Sequence, residues 1–207
     1  MDACRNAYTD QKPEAFRLCD PLAQKGNRDA QKMLGDMYYW GWGDQVTQDY
    51  GTAVLWYKRA GIKGQNEARY DLGVMFEQGV GVAVDYSRAA KWYMDAAKGG
   101  HAMAQFNVAN MYAKGAGTHK NDTQAAKWYL RAAEQGLPEA QYNIGNRYAK
   151  GLGVEQNAIE AYKWYLLAEK AGDADAQRNI IIIENHMTGA ATQQAKQLAE
   201  QWKAKKE

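Results

Sequence analysis

One dipeptide constrains this chain more than any other feature. Trp-Tyr occurs at Trp56-Tyr57, Trp92-Tyr93, Trp128-Tyr129 and Trp164-Tyr165, at intervals of 36 residues. The string A-x-x-W keeps the same beat from Ala53, Ala89, Ala125 and Ala161. So does a glycine pair, Gly79-x-Gly81, Gly115-x-Gly117 and Gly151-x-Gly153, and a single glycine at Gly64, Gly100, Gly136 and Gly172. A fixed period of this length means a repeat array, because one short unit cannot bury its apolar face alone.

Each unit has the pattern helix, turn, helix. In residues 103–115 Ala104, Val108, Met111 and Tyr112 recur at spacings of three and four, one face of a helix. Gly115 stops that helix. Asp122 is placed to cap the next one, whose inward face is Ala125, Trp128, Tyr129 and Ala132. Gly73, Ala109 and Gly145 fall mid-helix at one register, which predicts helices too close for a larger side chain. The expected fold is all-α: a right-handed superhelical α-solenoid of stacked helix-turn-helix repeats of about 36 residues. The expected organisation is one solenoid domain over 1–207. It has an N-terminal hairpin at 2–25, repeats at about 29–64, 67–100, 103–136 and 139–172, and a degenerate repeat with a capping helix at 175–207.

The pattern EAQYNIGNRYAKGLGV…AYKWYLLAEKAGDADAQ, from Glu139, resembles the Sel-one-like repeat (SLR) family, relatives of the tetratricopeptide repeats. The resemblance covers roughly residues 13–190. The first unit departs from the pattern, with 38 rather than 36 residues from Gly35 to Gly73, and the last carries Asn185-His186-Met187 where its turn should be. The resemblance implies an α-solenoid that binds proteins or peptides, in bacterial signalling, envelope assembly or host interaction. It includes a branch of immunity proteins paired with type VI secretion effectors. A cysteine-rich branch is linked to penicillin binding, but this chain lacks that branch's cysteine pairs.

The residues offer little chemistry. Ser87 is the only serine and lies in no G-x-S-x-G elbow. His101, His119 and His186 fall in different units without metal-ligand spacing, so neither a metal nor a cofactor is expected. A net charge of +2 is too small for a nucleic-acid partner, and the one Lys-rich run, Lys203 to Glu207, suits a solvated helix end. No apolar run reaches the length of a bilayer span. With the chemistry this thin, the function that the resemblance implies leads: a non-catalytic protein-binding solenoid of the cell envelope, in a specific version neutralising a secreted toxin or effector. A scaffold or assembly adaptor is the alternative, and a hydrolase of cell-wall or β-lactam compounds the remote one.

Two cysteines bear on the compartment. If 2–10 and 13–25 form a helical hairpin, Cys4 and Cys19 lie equidistant from its turn. They either form a disulfide or remain buried thiols. A disulfide would mean an oxidising compartment, periplasmic or secreted, with a leader already removed from ahead of MDACRNAYTD; cytoplasmic is the alternative.

A partner is expected in the concave groove lined by the first helices. The positions just after the small-residue register are Asp36, Val74, Asn110, Asn146 and Ile182, and four to five residues beyond it lie Tyr39-Trp40, Glu77-Gln78, Ala113-Lys114, Ala149-Lys150 and Asn185-His186. A third column, Met33, Asp71, Asn107, Asn143 and Asn179, suggests hydrogen bonds between turns. From these, Asp36, Tyr39, Trp40, Asp71 and Glu77 form an acidic and aromatic end of the expected partner-binding surface. Asn110, Lys114, Asn146, Arg147 and Lys150 form its amide and basic middle. Alignment separates two tryptophans. Trp42 replaces Val80, Ala116 and Leu152, which are core-like; Trp40 replaces Gln78, Lys114 and Lys150, which are polar. The turn Gly43 to Asp49 either folds over Trp40 or leaves it to a partner.

Overall fold

The computed structural model describes residues 1–205, so the last two residues of the Lys203–Glu207 run lie outside the described residues. The described residues form twelve α-helices and no strand beyond an isolated Trp42–Val46 bridge. Helices α1 (Asp2–Thr9) and α2 (Ala15–Gln24) make the N-terminal hairpin. The helix pairs are α3 (Arg28–Trp40) with α4 (Tyr50–Ile62), α5 (Asn66–Gln78) with α6 (Tyr86–Lys98), α7 (Ala102–Lys114) with α8 (Asp122–Glu134), and α9 (Pro138–Lys150) with α10 (Ala158–Lys170). Two further helices follow, α11 (Ala174–Glu184) and α12 (Gly189–Gln201). Such an arrangement of repeats of about 36 residues is an all-α solenoid. The chain divides into two compact units, Met1–His101 and Ala102 onward.

The caps explain why the second helices start where they do. Asp49, Asp85, Asn121 and Asn157 recur every 36 residues. Each side chain accepts the backbone N–H three residues on, from Thr52, Arg88, Gln124 and Glu160 respectively. Asn121, not Asp122, is therefore the cap of α8. Asp122 is that helix's first residue, and its carboxylate is turned to Arg147 at 3.0 Å.

Helix spacing has a specific cause. A Cβ added at Gly35 would lie 2.4 Å from the ring of Tyr57, one at Gly73 would lie 2.4 Å from Tyr93, and one at Gly145 would lie 2.8 Å from Tyr165. The mid-helix glycines thus admit the tyrosine of each Trp-Tyr pair flat against the first-helix backbone. A glycine within a helix costs about 1 kcal/mol of propensity. Burying an aromatic of this size stabilises by more than that.

In the first unit the hairpin is held by small residues. Cys4, Ala7, Ala15, Cys19 and Ala23 pack with Ala30, Leu34, Met37 and Trp56. Cys4 and Cys19 are joined, with sulfurs 2.10 Å apart and Cα atoms at 4.9 Å. In the second unit α12 packs on α10 through Ala195, and Trp202 meets Trp164 edge-on at 6.3 Å. The chain then turns back, and the Lys205 N–H donates to the Glu134 carbonyl at 2.7 Å.

Candidate functional site

The expected site residues divide into those engaged within the fold and those left open. The repeat tyrosines decide this. Tyr57 Oη donates to Asp36 Oδ1 at 2.8 Å, Tyr129 Oη donates to Asn110, and Tyr165 Oη donates to Asn146 Oδ1 at 2.8 Å. Val74 occupies the same register in the second repeat and has no acceptor. There Tyr93 Oη donates instead to Glu77 one turn on, at 2.7 Å. The position after the small residue therefore supplies the acceptor for a buried phenol, which would otherwise be left unsatisfied. This corrects the expectation that Asp36, Asn110 and Asn146 are reserved for a partner: the fold itself uses their oxygens.

Asp36 is 5% exposed and belongs to a buried network. Besides Tyr57, it accepts from Tyr8 Oη at 2.5 Å and from Lys32 Nζ at 2.9 Å. Burial, and then the Asp36 carboxylate, push both phenols well above the usual tyrosine range. Asp71 lies 3.8 Å from the same ammonium, and its Oδ2 is buried without a hydrogen bond. Burial raises the Asp71 carboxyl to about 7; Lys32 opposes the rise, while Asp36 and Glu67 add to it. The folded value lies above the ordinary 3.8, so folding binds a proton between those two pH values. Stability on this account falls as pH rises from about 4 to 7 and stays low above that. Asp71→Asn mimics the neutral form. Its stability advantage over wild type in urea titrations is expected to grow by on the order of 1–2 kcal/mol between pH 5 and pH 8, after discounting for partial exposure.

Arg147 is 7% exposed, which corrects its expected place on an open face. Its guanidinium donates to the Asp122 carboxylate, to the Asp122 carbonyl at 3.3 Å and to the Leu152 carbonyl at 3.1 Å. It ties the turn after α9 to the start of α8, over the Tyr129 ring. Of the third column, Asn179 Nδ2 reaches across to Asn146 Oδ1 at 3.1 Å, whereas Asn143 bonds the Glu139 carbonyl within its own helix.

Two open sites remain. In the first unit Trp40 is 73% exposed. The turn does not fold over it. Val46 is buried, the Trp42 N–H donates to its carbonyl, and Gln48 Nε2 donates to the Tyr39 carbonyl. Trp42 is packed, stacked on Tyr8 at 5.5 Å with its indole N–H on the Lys12 carbonyl. Trp40 stands edge-on to Tyr39 at 4.6 Å, and Tyr39 meets Tyr50 at 5.1 Å. Tyr8, Asp36, Trp40 and Trp42 line one cavity of about 540 Å³. In the second unit Asn146 and Lys150 line a cavity of about 800 Å³ together with Tyr142, Asn179, Ile182 and His186. Lys114 is exposed on α7. The repeat showed the tyrosines but not their acceptors, and it did not show the second cavity, formed where α11 departs from the repeat.

No described helix is long and apolar enough to cross a membrane. Comparison with known proteins places the fold. The family described as Sel1 repeat matches residues 28–65, 66–101, 102–137 and 138–173. A solved Sel1 repeat protein from Oxalobacter formigenes is similar, with 31% identity and a TM-score of 0.81 over 86% of this chain and 73% of that one. A protective antigen of uropathogenic Escherichia coli with an SLR fold aligns at 27% identity and a TM-score of 0.60, over 95% of this chain and 51% of that one. The immunity protein Pa5087 from Pseudomonas aeruginosa shares the fold at 21% identity and a TM-score of 0.50, over 85% of this chain and 69% of that one. Among curated proteins, sel-1 homolog 2 of Homo sapiens is 37% identical over 71 residues, and that of Mus musculus 36% over 72; each match covers 34% of this chain and only 10% of the relative. Sel1 repeats mediate protein–protein interaction. With four copies across residues 28–173, the chain belongs to the Sel1 repeat family.

Proposed function

We propose that this chain is a non-catalytic protein-binding solenoid of the bacterial cell envelope, which takes a partner on the first-helix faces of its repeats. The observation that carries the reading is Trp40. A tryptophan left 73% exposed, beside Tyr39 and Tyr50, has the character of an interface anchor. Nothing in the turn covers it, and the exposed cations Lys114 and Lys150 lie on corresponding positions of later repeats. The joined Cys4 and Cys19 suit a periplasmic or secreted setting. Within that setting the partner is a secreted effector that the chain neutralises. An immunity protein shares the fold, a likeness of fold only.

The test is capture of the partner from envelope and secreted fractions by the purified chain. Trp40→Ala is expected to weaken capture by tenfold or more, about 2 kcal/mol for an anchor residue, with an unchanged melting temperature. Lys114→Glu is expected to weaken it less. Undiminished capture by both variants refutes the groove reading. A scaffold role is the second reading, and it predicts a stable stoichiometric assembly with no loss of any partner's activity on binding.

A further inference from the structure

The second unit carries a cleft whose chemistry is more specific than an open face. One wall is a row on α9, with Tyr142, Asn146 and Lys150; the other comes from α11, with Asn179 and Ile182, and from the turn after it, with His186. The α9 row follows helical spacing throughout, so that wall is continuous. Their hydrogen-bonding capacity is left partly unused. Asn146 Oδ1 accepts from Tyr165 Oη and Asn179 Nδ2, which leaves the Asn146 amide N–H groups without a partner among the described residues. Lys150 is exposed and has no ion pair among them, and the His186 ring has no partner there either. The lining holds no aspartate or glutamate. Beside these donors Ile182 stands 60% exposed, and its neighbour Ile181 is 59% exposed.

We propose that this cleft binds an extended segment of a partner protein in which a side-chain carboxylate and an aliphatic residue stand two positions apart. The proposal rests on the protein-binding reading above and names the partner's chemistry at this end. Charge decides the first element: unpaired N–H donors and a cation with no acid among them select an anion. Burial decides the second, since Ile182 gains only from an apolar neighbour. Length decides the third. From Tyr142 to Lys150 the α9 wall runs about 12 Å, at 1.5 Å per residue. An extended segment of about four residues covers that distance at 3.3 Å each. Side chains two apart in such a segment point the same way, so one carboxylate and one aliphatic group enter the cleft together. The partner's chain continues out at both ends.

The probe is a peptide capped at both ends, acetyl-Gly-Glu-Ala-Leu-Gly-amide, titrated into the full chain with amide resonances followed by NMR. Saturable shifts are expected at Asn146, Lys150, Asn179, Ile182 and His186. Replacing the peptide's glutamate with glutamine is expected to weaken binding about tenfold, as is Lys150→Glu or Ile182→Asp in the protein. Lys127→Glu, an exposed charge change on α8, should leave binding unaltered. Shifts of equal strength with the glutamine peptide, shifts confined to other helices, or none at all overturn the proposal. So does binding of the glutamine peptide only when its C-terminus is left uncapped, which assigns the cleft to a chain terminus. Loss of the peptide result leaves the groove reading to stand or fall on capture through Trp40.

Discussion

Gly153→Ala is expected to destabilise the second unit by on the order of 3–5 kcal/mol, a loss that single substitutions rarely reach. Two effects combine. Gly153 has φ of +76°, a conformation that costs alanine about 1–2 kcal/mol. Its added Cβ would also lie 2.1 Å from the Asp122 carbonyl oxygen and 2.6 Å from the Thr123 nitrogen. Those are backbone atoms of the first turn of α8, and a rotamer change cannot move them. The turn after α9 must then lift from α8, taking with it the Arg147 bridge from Asp122 to the Leu152 carbonyl. Gly151 is the control. Its φ is +67°, yet the nearest atom to an added Cβ is a side-chain carbon at 3.5 Å. Gly151→Ala should therefore cost only the conformational part. Urea unfolding of both variants measures the difference, and equal losses would show that the contact with α8 contributes nothing.

This pair of glycines also shows how far the sequence alone reaches. The G-x-G beat was legible as a turn, because glycine after an apolar run stops a helix. That the second glycine is needed for contact with the preceding repeat, as well as for the turn, was not. Contact between repeats depends on where the previous helix begins, and the Asx cap sets that start. The same limit explains the first-helix column. Asp36, Asn110 and Asn146 look like open polar positions along a helical face, and nothing local distinguishes them from solvated residues. Their partners, Tyr57, Tyr129 and Tyr165, lie about twenty residues away, in the following helix. The pair is held across two helices rather than within one, and Glu77, one turn past Val74, meets the same demand in the second repeat. Charge alone points Arg147 to an open face; its burial depends on Asp122 and the Tyr129 ring of the preceding repeat, which no local pattern reveals. Trp40 and Trp42 were separable because alignment compares each with its own column, one polar and one apolar.

Removing the disulfide, by Cys4→Ala with Cys19→Ala or by reduction, is expected to cost the N-terminal hairpin about 3 kcal/mol, the entropy of closing a loop of 15 residues. The hairpin has few other resources. Helix α1 has 8 residues and α2 has 10, too short to persist alone in water. Its fully buried side chains are only alanine and cysteine, and Met1, Tyr8, Phe16 and Leu22 are covered in part. The loss should therefore be local. Amide exchange is expected to quicken about a hundredfold over residues 2–24, while α5 and α6 keep their protection. The consequence reaches the candidate site through Trp42, which is held by Tyr8 of α1 and by the Lys12 carbonyl in the hairpin turn. Once the hairpin opens, Trp42 loses both contacts, and the cavity between Tyr8 and Trp40 loses a wall. Tryptophan emission should shift to the red on reduction, and capture through Trp40 should weaken in parallel. Unchanged exchange across residues 2–24 after reduction would mean that Leu34, Met37 and Trp56 hold the hairpin by packing alone. The partner surface would then be indifferent to redox conditions.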